Sequence, residues 1–101
     1  MKLKIANNIY EIIFVENLEK NGQKALGVLE PLEGKIYIEK NLQKRDKFAT
    51  IIHEVMHEIL QNLNIVTWLK KNKEEDFVSI FSIWFAIFLL DNNIEDILKE
   101  L

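Results

Sequence analysis

Residues 50–60, TIIHEVMHEIL, carry both histidines of the chain, four apart, with a glutamate directly after the first. Around them Phe48, Ile52, Val55, Met56, Ile59 and Leu63 fall at the spacing of one helical face. That pattern predicts a helix over 42–64, with Asn41 or Asp46 as its cap and "NLNI" as its end. His53 and His57 lie off this apolar stripe. Ala49, one turn before His53, leaves open space beside it.

Four residues apart on a helix, two side chains are neighbours, with Cβ atoms about 5–6 Å apart. Two imidazoles so placed can hold one Zn²⁺ at roughly 2.0–2.1 Å each. Glu54 follows His53 by one step of about 100°. Its carboxylate can therefore reach a water beside the metal without displacing it, as a general base must. The pattern H-E-x-x-H is thus a metal-site candidate with a mechanical reason behind it. The plainer alternative is a pair of surface histidines with an incidental glutamate. The strongly patterned helix around the motif favours zinc.

Working outward from this helix, the chain before it reads as strands, over residues 1–40. "KLKI" and "IYEIIFVEN" are rich in Ile, Val, Tyr and Phe, with Asn7-Asn8 as the turn between them. A break follows at "EKNGQ". "KALGVLEPLEGKIYIEK" predicts a hairpin turning at Pro31 to Gly34. In its second strand, Lys35 to Glu39, Ile36 and Ile38 share a face opposite to Tyr37. After the motif, "VTWLKKNK" reads as a connection to a helix from about Glu74 to Leu90. A short amphipathic helix, Ile94 to Leu101, follows. Strands first and helices after give an α+β class.

A chain of 101 residues, 49% hydrophobic and 29% charged, is expected to form one domain around one core. The formal net charge of −3 argues against nucleic acid as a partner. No cysteine is present, which excludes disulfides and thiolate zinc sites and accords with a cytoplasmic location. "MKLKIANNIYEIIFVEN" has no apolar core followed by a small-residue cleavage site, so no signal peptide is expected. The uncharged run Phe77 to Leu90 is shorter than the roughly 20 residues that span a bilayer, so no membrane span is expected.

Catalytic zinc takes three protein ligands and a water. With no third histidine and no cysteine, the remaining ligand must be a carboxylate. Glu58, Glu74, Glu75, Asp76 and Asp91 are the candidates after the motif. Glu58 lies one position past His57 and points aside. Glu75 shares a helical face with Ser79, Ser82 and Ala86, small residues that would let the two helices approach closely. This ranks Glu75 first, Glu74 second and Asp76 third. Acids in a first helical turn are also favoured by the helix dipole alone.

With these residues in view, the chain resembles the small phage- and mobile-element-borne zincin-like proteins, relatives of the ImmA/IrrE-like metallopeptidases. The likeness rests on "GKIYIEKNL", "ATIIHEVMHEIL" and "EEDFVSIFSIWFAIFLLDN", and runs over most of the chain. It implies a minimal zincin-like domain over 1–101 with a gluzincin-type site. His53 and His57 would be metal ligands, Glu54 the catalytic base, and a glutamate of the "EED" turn the third ligand.

The expected activity is hydrolysis of a peptide bond in a peptide or protein substrate. Such a substrate would lie along an exposed strand edge, with Lys35 to Glu39 the expected edge. Tyr10 or Tyr37 would stabilise the oxyanion if turned toward the metal. The competing expectation is a non-catalytic, zinc-stabilised interaction module. Its basis is "FVSIFSIWFAIFLL", apolar around most of its circumference, where Trp84 and Phe88 are expected to meet a second copy or a protein partner unless the last helix, through Ile94, Ile97, Leu98 and Leu101, covers the same face within the monomer.

Overall fold

The alternating pattern of the first forty residues becomes a mixed, four-stranded sheet of order β1-β2-β6-β5. The computed structural model describes residues 1–62 and 74–101, with side chains described for 1–62 and 79–101. Strands β1 (Lys2–Ile5) and β2 (Asn8–Val15) form an antiparallel hairpin. Its turn is Ala6-Asn7, both at positive φ (47° and 70°), one residue earlier than expected. Two left-handed residues supply the twist a two-residue hairpin needs. β3 (Glu19–Lys20) and β4 (Gln23–Lys24) form a small separate hairpin about Asn21-Gly22. β5 (Gly27–Glu30) and β6 (Lys35–Glu39) are antiparallel across the turn at Pro31 to Gly34.

β6 also pairs parallel with β2, from Glu11↔Lys35 to Val15↔Glu39. The Lys35–Glu39 strand is therefore central, and the expectation that it forms the edge is corrected: β5 is the edge. Ile36 and Ile38 are fully buried beneath the helices, while Tyr37 alternates to the opposite face.

Helix α1 (Lys44–Asn62) lies across β5 and β6. It buries Ile51, Val55 and Ile59 at spacings of four. The inward face is rotated from the expected stripe: Ile51 is central to it, whereas Met56 is exposed. Asp46 lies within the first turn rather than before it. Leu63, Asn64 and the "VTWLKKNK" connection lie outside the described residues.

Helices α2 (Glu74–Asp91) and α3 (Ile94–Glu100) match the expected positions. Asn93 caps α3, its Oδ1 accepting from Glu95 N and Asp96 N. Phe88 and Ile97 complete the core, and Phe81, Trp84 and Phe85 pack partly buried against it. The exposed face of α2 is aliphatic instead: Ile83, Ile87, Leu89 and Leu90. Phe88 is thus buried together with Ile97 of α3, as the alternative in which the last helix covers this face expects, and Trp84 is partly buried. Among the described residues no helix is long and apolar enough to cross a membrane.

Ile38→Ala removes a fully buried side chain from the central strand, and should cost about 2–5 kcal/mol of unfolding free energy in urea titrations. Leu32→Ala, at a fully exposed turn position, should stay within about 0.5 kcal/mol of the parent.

Candidate metal centre

Each residue of a helix is turned about 100° from the last, and this arranges α1 in three strips. Ile51, Val55 and Ile59 face the core. Glu54 and Glu58, four apart, form a buried flank beside them. His53 and His57 come next around the helix, exposed to solvent. The apolar strip pins the helix to the sheet, and that fixes the other two strips relative to β5.

The two imidazoles converge. His53 Nε2 and His57 Nε2 are 3.1 Å apart, and their rings meet edge to face at 81° with centroids 4.7 Å apart. One ring nitrogen can donate to the other when only one of them carries a proton. Two zinc–nitrogen bonds of about 2.0–2.1 Å, meeting near the tetrahedral angle, would hold their nitrogens about 3.3 Å apart. The pair therefore fits one metal ion with little side-chain movement. Among the described residues no third histidine, aspartate or glutamate joins it.

Glu54 is buried under β5 because Gly27 has no side chain. A Cβ at Gly27 would stand 2.7 Å from Thr50 Cγ2 and 3.1 Å from Glu54 Oε1. The carboxylate thus occupies the space under the strand edge, between two hollows that meet at Gly27, His53 and Glu54. One, of about 390 Å³, continues past His57, Gln61 and Lys20. The other, of about 590 Å³, continues past Ala49, Leu42 and Leu26. The histidines and Glu54 thus line one groove.

The remaining candidates divide. Glu58 is buried on the core side, where its Oε1 accepts from Asn62 Nδ2. Its carboxylate also acts on the Tyr10 hydroxyl, although Oε2 has no hydrogen bond of good geometry among the described residues. Asp91 lines a different hollow, beside Met1 to Leu3. The side chains of Glu74, Glu75 and Asp76 lie outside the described residues.

The ground for ranking Glu75 first is reversed, because Ser79, Ser82 and Ala86 are exposed rather than turned to α1. Neither tyrosine faces the histidines. Tyr10 is buried against Glu58, and the Tyr37 hydroxyl donates to Glu33 Oε2 at 2.9 Å.

Gly27 and Lys20 were missed from the sequence. A glycine within a strand signals close approach of another group, and "NG" is a strong hairpin signal. Both were present in "EKNGQKALGVLE". No protein-family model, curated protein or solved structure matches the chain.

Burial first, and then the hydrogen bond and charge of Glu58, raise the Tyr10 pKa above its ordinary 10.0. A folded-state value above the unfolded one gives stability that is complete below pH 10 and lost as pH climbs past it. Between about pH 9 and about pH 11 the parent should therefore lose more unfolding free energy than Tyr10→Phe does. Equal losses in denaturant titrations would remove this coupling.

Gly27→Ala must displace Thr50 or Glu54, and should lower stability by about 1–3 kcal/mol, measured by thermal or urea unfolding.

Proposed function

We propose that the chain is a zinc-dependent hydrolase of peptide bonds, a minimal zincin-like protein as its motifs imply. The observation that carries this reading is the 3.1 Å approach of His53 Nε2 to His57 Nε2 at the mouth of a groove that Glu54 also lines. His53, His57 and one carboxylate of the Glu74–Asp76 turn would hold the metal. Zinc so held would lower the pKa of a water toward about 7 and polarise a carbonyl oxygen.

The chain's own groups do the rest. Glu54 takes the proton of the attacking water and returns it to the departing amine. Its seat under Gly27 places the carboxylate beside both hollows.

The substrate backbone has a natural track. Glu39 N donates to Leu26 O across the hairpin. By antiparallel alternation, Gly27 and Leu29 then turn their N–H and C=O groups away from β6, toward open space. A peptide in extended form can add to this edge and pass the histidines at Gly27. The absence of cysteine accords with action in the cytoplasm.

Purified protein should bind about one zinc ion per chain by elemental analysis. His53→Ala and His57→Ala should each lose most of it, and full occupancy in both would exclude the site. Of Glu74→Ala, Glu75→Ala and Asp76→Ala, one should weaken zinc binding well beyond the other two, and that one identifies the third ligand. Glu54→Gln should keep the metal and abolish peptide hydrolysis. Equal cleavage by Glu54→Gln and the parent would remove Glu54 as base.

The exposed aliphatic face of α2 supports a second reading, a zinc-stabilised interaction module that binds a second copy or another protein. Under it, Ile83→Glu with Ile87→Glu would convert a sedimenting dimer to monomer. A parent that sediments as monomer at micromolar concentration would exclude self-association.

A further inference from the structure

The groove on either side of Gly27 is chemically lopsided. At the Leu26 end its walls are Ala25, Leu26, Leu42 and Ala49, and Leu26 is 57% exposed. Such an apolar side chain left in water is a seat for another. The charged group at this end is Asp46, which would repel an anion. Arg45 Nε lies 3.5 Å from Asp46 on an exposed flank, where screening leaves the pair little strength.

Past Leu29 the walls change. Gln61 and Lys20 line this end with His57. Lys20 is exposed, and its ammonium has no ion-pair partner among the described residues. It stands on the β3–β4 hairpin, whose Asn21-Gly22 turn (φ 55° and 79°) carries it up to the strand edge. A strongly hydrated lysine ammonium on a flexible stem is well suited to meet a carboxylate.

We propose that this groove selects extended peptides in which an apolar residue and a carboxylate-bearing residue flank the segment seated at Gly27. Leu26 and Leu42 receive the first, and Lys20 receives the second. The inference rests on the hydrolase reading only for the fate of the peptide, since the binding surface consists of β5, the hairpin and α1. The carboxylate is either an aspartate or glutamate side chain or a free chain terminus, because both present the same anion.

The probes are acetylated, amidated octapeptides with Leu and Asp on either side of a central Ala-Ala, in both orders. Each has an Asn counterpart, and the Asn peptides are also made with a free C-terminus. Binding is read from the backbone amide signals of Gly27 and Leu29 in zinc-supplemented Glu54→Gln protein, which cannot turn the peptide over. In one order, the peptide carrying the carboxylate should bind about three- to five-fold more tightly than its neutral partner, the size expected of an exposed ion pair.

Lys20→Met should bring that ratio to about one while the zinc content stays the same, and Leu26→Ser should weaken the charged and neutral peptides alike. Preference for the Asp peptide identifies a side-chain carboxylate, and preference for the free-acid Asn peptide identifies a terminus. Either supports the proposal. Equal binding in both orders, a ratio that survives Lys20→Met, or undisturbed Gly27 and Leu29 signals would overturn it. Binding without cleavage by the parent removes hydrolysis and leaves the groove. Cleavage without acid preference removes the groove and leaves hydrolysis.

Discussion

The contact of Gly27 with Thr50 and Glu54 sets the distance between β5 and α1, and the rest of the molecule is arranged around it. α1 must place Ile51, Val55 and Ile59 on the sheet to bury them. Doing so turns Thr50 and Glu54 toward the β5 edge, where any side chain at position 27 would meet them. A single missing methyl group thus lets an acidic helix flank lie against a strand. The histidines, one strip further round, then stand solvent-exposed at the groove mouth.

Burying two carboxylates on one helix is costly unless something offsets it. Glu58 is partly compensated by Asn62 and Tyr10, within the helix and from β2. Glu54 makes no hydrogen bond or ion pair among the described residues, yet only 7% of it is exposed. A carboxylate that serves packing alone would gain by replacement with an apolar residue of similar volume. Its position between two hollows and beside two converging imidazoles accords with the proposed role as base. The adjacent acids of "HEVMHE" therefore differ in character: Glu58 faces inward to the core and Glu54 faces the groove.

Much of this was legible in the sequence, wherever a local period decides. Ile36 and Ile38 announced which face of their strand is buried, and the spacing of α1, α2 and α3 gave their extents to within a few residues. Strand order was not legible, because alternation tells a strand's faces and not its neighbours. Only the parallel register from Glu11↔Lys35 to Val15↔Glu39 makes β6 central. The orientation of α2 was hidden for a related reason. With apolar residues all around, hydrophobicity carries no angle, and packing then chose the aromatic side for the core and left Ile83, Ile87 and Leu90 outside. The candidate site was legible where it sits within one helix and illegible where β5 and the β3–β4 hairpin complete it.

The two edges of the sheet complete the argument for where a peptide can bind. An open edge offers unpaired N–H and C=O groups to any extended chain, and a protein that leaves one open risks aggregation. At the β1 edge, Asn92 closes the gap: Lys4 N donates to its Oδ1 at 2.9 Å, and its Nδ2 donates to Lys4 O at 2.8 Å. The same Nδ2 also reaches Phe88 O at the end of α2, so the block is tied to the core helix. The β5 edge has no such cover among the described residues. Among the described residues, Gly27 and Leu29 keep their outward groups unpaired there and Lys20 has no ion-pair partner, beside the histidines and the buried Glu54. If the open edge were an accident of a small sheet, it would have no reason to coincide with the one strand that Gly27 fits against the motif helix. The edge left open among the described residues lies beside the histidine pair, as the proposed binding of an added strand requires.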